Sequence, residues 1–236
     1  MLPPSRSLAV AGVEAVGAYA LLRLGRDGVD PGSPGQFFML QAEPEPAAAY
    51  LPRPLSAAWA DERELAFLLD VRGPGTGALL AARSAAVLGP LGRGFELEPG
   101  PALLVGGGIG AAILPWLARV LPDVRTLLGF RTRAHAVCAA LIDPDATVVI
   151  EPTLVTEPLA RILPGFGGTV YACGPDAMLR AVAALAAEHG VRCQVAMEAA
   201  MACGFGACYG CAARVDGSWK RLCVEGPVLE AGRVLA

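Results

Sequence analysis

The residues best able to do chemistry are four cysteines: Cys203, Cys208 and Cys211 within "CGFGACYGC", and Cys223 after a further eleven residues. The spacing C-x4-C-x2-C with a distant fourth thiol suits four thiolates converging on two bridged irons, a 2Fe–2S cluster. Gly204, Gly206, Ala207 and Gly210 are small enough to let the loop wrap closely. Two other uses compete. A structural zinc knot presents two short-spaced cysteine pairs, and only Cys208–Cys211 is one. A disulfide framework would spread pairs across a secreted fold, whereas this chain carries an odd number of cysteines, seven, crowded toward one end. Iron is the expected use, ahead of zinc and then disulfides.

Three further stretches suit anionic, phosphate-bearing ligands. "LLVGGGIGAAIL" places Gly106, Gly107, Gly108, Ile109 and Gly110 where a strand gives way to a helix. Backbone amides can approach a phosphate there, and the helix N-terminus adds positive potential. The bland alternative is a turn that serves tight packing. "YACGPDAML" puts Cys173, Gly174 and Pro175 at a strand end, the side on which open parallel sheets bind ligands. Cys173 is a candidate site residue there, although a lone thiol is usually just buried. "LPRPLS" and "RGPGTGALL" form a third constellation. Arg53 can pair with a phosphate, Pro54 and Leu55 are extended and apolar, and Ser56 can donate a hydrogen bond. Gly73, Gly75 and Thr76 supply a second small-residue turn suited to a pyrophosphate. Alone, "RP" reads as a solvated turn.

The elements that must position these groups fall into three parts. Residues 1–97 punctuate like an all-β unit, with "AYALLRLG", "GQFFMLQA", "RELAFLLDVRG" and "AAVLGPLGRGF" separated by Gly- and Pro-rich turns. A small barrel or sandwich is expected there, with "AEPEPAAAYLP" as a surface loop. Residues 98–195 alternate strand and helix, which predicts a parallel, doubly wound sheet. The last helix of that part, "PDAMLRAVAALAAEHG", has Pro175 near its start, Asp176 in its first turn and Gly190 past its end. Residues 196–236 hold the cysteines, a small hairpin around "VDGSWK" and a short tail.

Composition narrows the function classes. Hydrophobic residues make up 54% and charged residues 17%, so a buried core is assured. A net charge of −3, a single lysine (Lys220) and scattered arginines argue against nucleic-acid binding. From Pro99 to Ala118 no residue is charged, but the glycines and Pro115 break the run into strand, turn and helix, so no membrane span is expected. The start has no basic segment followed by an apolar run, and the thiols are expected to be reduced, which predicts a cytoplasmic protein.

Taken in order, "PGQF", "RPLS", "GPGT", "GPLGRGF", "VGGGIG", "GFRT", "YACGP" and "MACGFGACYGC" resemble the electron-transfer subunits of NAD-linked dihydroorotate dehydrogenases, in the ferredoxin–NADP reductase superfamily. The resemblance runs from about Pro34 to Cys223. It implies an FAD-binding β-barrel, a nicotinamide-binding α/β domain and a C-terminal 2Fe–2S loop. By motif, Arg53 would pair with the FAD pyrophosphate, Pro54 and Leu55 would lie along the flavin, and Ser56 would sit near its reactive nitrogen. Gly75 and Thr76 would close over the diphosphate. Gly106 to Gly110 would cradle the NAD diphosphate, and Cys173 to Pro175 would line the nicotinamide pocket. The four cysteines would be the cluster ligands. Glu198 falls at an acidic position of the family pattern, with no role assigned.

The implied function is an electron conduit between an FMN-containing catalytic subunit that oxidises dihydroorotate, in a complex of two copies of each, and NAD+. Arg131–Thr132–Arg133 is the departure that matters. An acidic residue there would bind a ribose 2′-hydroxyl and an arginine would suit NADP, yet the resemblance implies NAD. The rival assignments are the flavin subunit of a sulfhydrogenase or electron-bifurcating transhydrogenase, and, from another class, an iron–sulfur redox sensor. His135 and His189 sit in no motif and are expected at the surface or at helix ends.

Overall fold

The apolar runs in the first part of the sequence become strands whose buried residues face one interior. In the computed structural model, which describes residues 5–44 and 50–234, these strands are β1 (Arg6–Val16), β2 (Tyr19–Gly25), β3 (Phe37–Glu43), β4 (Arg53–Ser56), β5 (Trp59–Ala60), β6 (Glu64–Leu69) and β7 (Ser84–Leu91). Helix α1 (Pro74–Ala81) lies between β6 and β7. The seven strands form one antiparallel sheet in the order β4-β3-β7-β1-β2-β6-β5. β4, at one edge, packs against β6 near the other, so the sheet curls into the expected barrel. β7 shows the two-residue alternation of a half-buried strand, with Ala85, Val87 and Leu91 inside.

Two stretches differ from their sequence reading. "RPLS" is a strand paired with β3, from Phe37↔Ser56 to Leu40↔Arg53, and not a solvated turn. "GPGTGALL" is the first part of α1 rather than a bare turn, because Pro74 starts the helix and Leu79 anchors it in the barrel core. Part of the predicted surface loop "AEPEPAAAYLP", residues 45–49, lies outside the described residues.

The second part is built on β8 (Ala102–Gly107), β9 (Val124–Phe130), β10 (Thr147–Ile150), β11 (Thr169–Cys173) and β12 (Arg192–Ala196). These strands run parallel in the order β10-β9-β8-β11-β12. Every residue of β8 and β11 is buried, as their unbroken apolar runs require when helices cover both faces. The covering helices are α2 (Leu114–Val120), α3 (Arg133–Ala136), α4 (Ala139–Ile142), α5 (Thr156–Ile162) and α6 (Asp176–Glu188). α6 buries Leu179, Val182, Ala183 and Ala186, a helical stripe, and the chain leaves it through Gly190 at φ 65°.

The cysteine segment carries the hairpin β13 (Ala212–Val215) and β14 (Ser218–Arg221), as its sequence predicts, followed by α7 (Leu222–Glu225). The tail then does something the sequence reading does not anticipate. β15 (Val228–Glu230) returns to the parallel sheet and pairs antiparallel with β12. Barrel and α/β sheet also share packing. Trp116 of α2 sits in the barrel core, and Phe37, Met39 and Leu91 of the barrel pack in one cluster with Leu103, Val105, Cys211 and Cys223.

Candidate functional site

A cavity of about 460 Å³ opens where the barrel meets the α/β sheet. β4 contributes Arg53, Pro54, Leu55 and Ser56, and the start of α1 contributes Gly73, Gly75 and Thr76. These seven sequence-predicted residues therefore share one cavity. The Arg53 guanidinium lies directly against Gly75, so that any Cβ there would collide with it. Its Nη1 donates to the Leu51 carbonyl at 2.5 Å, fixing the side chain across the mouth of α1. The Thr76 hydroxyl accepts the backbone N–H of Arg72 at 3.1 Å and donates to the Gly73 carbonyl at 3.1 Å, so it organises the helix start. A guanidinium beside an eight-residue helix N-terminus presents positive potential suited to an anion, while Phe37, Pro54, Leu55 and Leu68 form the apolar walls of the same cavity.

A second cavity of about 560 Å³ lies over the carboxyl ends of β8, β9, β10 and β11. The predicted glycine turn lines it, but its glycines divide the work. Gly107, Gly108 and Gly110 reach the cavity, and Gly108 adopts φ 55° with open space around it. Gly110 instead faces the turn after β11, where its Cβ would meet Gly174 Cα at 2.5 Å. Gly106 stays in β8, where a Cβ would meet Leu114 and Leu128 at 2.8 Å. Of the second turn, Pro175 lines this cavity and Cys173 the first. Gly174 lines neither and serves the contact with Gly110. His135, at the end of α3, lines the second cavity; its Nδ1 lies 2.8 Å from Thr132 Oγ1 and its ring meets Tyr19 edge-on.

Asp70, Arg72, Ile109, Gly110 and Glu198 line both cavities, so the two open into one another. Arg72 Nε donates to Asp70 Oδ2 at 2.8 Å. Desolvation at this neck raises the Glu198 carboxyl, with Arg72 pulling the other way. Cys173 is buried beneath it. Desolvation, reinforced by Glu198, holds that thiol far above its ordinary range and therefore protonated, which makes it a wall and not a nucleophile. Sequence reasoning missed Arg72 and left Glu198 without a role; neither lies in a motif that fixes a side chain's direction.

Cys203, Cys208 and Cys211 lie in one loop and Cys223 in α7, and the four group two by two. Cys211 and Cys223 are buried with their sulfurs 3.1 Å apart. Cys203 is half-buried and Cys208, its hydrogen-bonding neighbour, is exposed. Desolvation raises the Cys203 thiol, but N–H groups of Cys208, Phe205 and Ala207 outweigh it and bring the thiol down to about 6. Desolvation and the bond with Cys211 push Cys223 up to about 12. The loop turns through positive φ at Gly204, Gly206 and Tyr209, and a Cβ on Gly206 would meet Val224 at 2.7 Å. Among the described residues all seven cysteines are free, and no three ligand groups close around a single point. Two thiol pairs with backbone N–H donors on sulfur, and no imidazole or carboxylate among them, fit two irons better than one zinc.

A polar hub that the sequence gives no sign of holds the connection between the two sheets. Gln194 takes the Glu96 N–H at 2.9 Å and donates to the Glu96 carbonyl at 2.8 Å. The Tyr171 hydroxyl accepts the Glu98 N–H at 2.9 Å. Arg192 pairs with Glu96 and Glu230 at 2.7 and 2.6 Å, and with Glu98.

The sequence pattern of the iron–sulfur cluster binding domain of dihydroorotate dehydrogenase B matches residues 198–235. The electron transfer subunit of dihydroorotate dehydrogenase B (NAD(+)) from Caldanaerobacter subterraneus is 34% identical, over 86% of this chain and 87% of that one. The same subunit from Bacillus caldolyticus is 35% identical over 92% of each chain. Among solved structures, one of NADH-dependent reduced ferredoxin-NADP oxidoreductase superposes with a TM-score of 0.83 at 24% identity, over 98% of this chain and 90% of that one. Phthalate dioxygenase reductase superposes at 0.62 with 17% identity, over 78% of this chain and 64% of that one. These likenesses establish a ferredoxin-reductase-like fold. With 34% and 35% identity over 86% and 92% of its length to such subunits, the chain belongs to the family of dihydroorotate dehydrogenase B electron transfer subunits.

Proposed function

We propose that this chain carries electrons from a dihydroorotate-oxidising catalytic subunit to NAD+, using a 2Fe–2S cluster and FAD. The observation that carries the reading is the pair of cavities opening into one another at Asp70, Arg72, Ile109, Gly110 and Glu198, with the cysteine segment following directly on the first cavity's wall. Met197, Ala199 and Met201 line that wall, two residues short of Cys203. A flavin exchanges hydride with a nicotinamide and single electrons with an iron–sulfur cluster, which is the chemistry these groups supply when bound.

In this reading Arg53, Gly73, Gly75 and Thr76 hold the FAD diphosphate, and Pro54, Leu55 and Ser56 lie along its ring. Gly107, Gly108 and Gly110 receive the NAD diphosphate, Cys173 and Pro175 flank the nicotinamide, and Gly106, Ile109 and Gly174 shape the turns. Arg72 and Glu198 border the passage between the two cavities. Cys203, Cys208, Cys211 and Cys223 bind the irons, and exposed Cys208 marks the edge nearest solvent. Residues 1–97 serve the flavin, 98–195 the nicotinamide and 196–236 the cluster. The partner is an FMN-containing catalytic subunit, two copies of each forming a cytoplasmic complex. Among the described residues no helix is long and apolar enough to cross a membrane.

Anaerobic purification tests this directly. The protein should be coloured, release FAD on denaturation, carry two irons per chain, and copurify with a dihydroorotate-oxidising subunit, the complex of the two reducing NAD+ with dihydroorotate. Cys208→Ser should lose the iron signal. A colourless protein with one zinc, or a hydrogenase-like partner, would overturn the reading.

A further inference from the structure

One barrel side chain reaches across into the second cavity. Tyr19 opens β2, a barrel strand, yet it lines that cavity and packs in one apolar cluster with Ala112, Phe130 and Cys138 of the α/β part. The turn Gly17–Ala18, between β1 and β2, is hung on α3, where the Ala18 N–H donates to the Ala134 carbonyl at 2.9 Å. Gly17, at φ 62°, lies so close that a Cβ there would meet Val137 at 2.7 Å. The Tyr19 ring then stands edge-on to His135, with centroids 5.3 Å apart.

Tyr19 is only 5% exposed, and among the described residues its hydroxyl makes no hydrogen bond. A buried polar group costs stability unless it is paired, so an idle hydroxyl on a cavity wall marks a place for a ligand atom. Among the described residues, Tyr19 Oη is the nearest atom outside the turn to where a Cβ on Gly108 would stand, at 4.0 Å. The hydroxyl therefore faces the turn after β8. Burial above all, then Cys138 and Asp70, pushes Tyr19 up to about 12, so the group keeps its proton and can donate. Asp70 and Arg72, which also reach this cavity from the barrel, are paired with each other.

The next step rests on reading this cavity as the nicotinamide dinucleotide site. An ionised diphosphate presents only acceptors, and it is held best by donors on more than one side. The turn after β8 passes into a 3-10 segment, Gly108–Ile113, before α2 begins, so it offers fewer aligned N–H groups than a regular helix start. We propose that Tyr19 completes the site from the barrel: its hydroxyl donates a hydrogen bond to a diphosphate oxygen of the dinucleotide seated on Gly107 and Gly108. The site is then whole only while the Gly17–Ala18 turn is docked on α3, because that contact carries the hydroxyl to the glycines.

Tyr19→Phe removes the oxygen and keeps the ring, which spares the packing against His135 and the docked turn. The test is calorimetric titration of the flavin-loaded complex with NAD+ and with ADP-ribose, which shares the diphosphate and lacks the nicotinamide. The variant should bind both about tenfold more weakly, the loss of one hydrogen bond to a charged group, with its thermal midpoint unchanged or raised. Affinities equal to those of the wild type overturn the role of Tyr19 and leave the reading of the cavity standing. A loss confined to NAD+ puts the hydroxyl on the nicotinamide half and overturns the diphosphate contact. Weaker binding together with a lowered midpoint makes the hydroxyl structural and overturns the proposal as well. A wild type that binds neither ligand overturns the reading of the cavity and the proposal together.

Discussion

The molecule contains two glycine-rich junctions between a strand and a helix, and they use glycine for different ends. At the start of α1, Gly75 makes room for the Arg53 guanidinium, while Gly73 and Gly77 have nothing within 4 Å of where a Cβ would stand. After β8, Gly106 and Gly110 are pressed against neighbouring side chains and against the backbone of Gly174, and only Gly108 has both positive φ and open space. The first turn spends its glycine on a charged side chain that lines the first cavity. The second spends most of its glycines on close packing, and of those that line the cavity only Gly108 has open space where a Cβ would stand. Glycine content alone therefore does not measure an anion site; the atoms a Cβ would displace do.

Substitutions can break or sharpen that contrast. The largest effect belongs to Gly110→Ala, which would put a methyl group 2.5 Å from Gly174 Cα and 2.6 Å from its nitrogen. Backbone cannot swing aside as a side chain can, so denaturant unfolding should show a loss of about 3 kcal/mol; an unchanged midpoint would mean the two loops are not seated as described. Arg53→Ala should spare the fold but cost the flavin about 1.5–3 kcal/mol of affinity, the range for a hydrogen bond to a charged group. The flavin-to-protein ratio after gel filtration reads this, and full retention would remove Arg53 from the site. Gly108→Ala forces a left-handed backbone, φ 55°, on a residue with a side chain and should cost about 1 kcal/mol. Gly77→Ala, in a helix with free space around it, should instead raise stability by about 0.5–1 kcal/mol.

The sequence was most legible where a hydrophobic period or a turn signal is strong. β2, β3, β6 and β7, the parallel strands and α6 all follow from apolar runs and their punctuation. β1 escaped notice because of its side chains: in "RSLAVAGVEAV" only Leu8 is buried, so the strand is held by its hydrogen-bonded neighbours β2 and β7 and carries little pattern. α1 was hidden by a proline and two glycines that read as a turn, and α3, α4 and β15 are too short to show a period.

The candidate site shows the same division. The cysteine spacing, "RPLS" and the glycine turn mark themselves locally. Arg72 and Glu198 line one neck only because two cavities join, and Arg131 and Glu151, twenty residues apart, line one cavity only through the parallel pairing of β9 with β10. Parallel pairing brings together strand ends that no short window of sequence contains.

The chain leaves the parallel sheet after Ala196 and comes back at Val228, and those two residues are ladder partners. Everything between them, cysteines included, hangs from adjacent rungs of one sheet edge, the arrangement in which a tight turn could close the chain equally well. Topologically the cysteine loop is a graft, whose two stems are a strand's width apart. Such a graft can be lengthened, recut or exchanged without rethreading the sheet beneath it. In this chain the port that meets a partner and the scaffold that holds the nucleotide can therefore diverge at different rates.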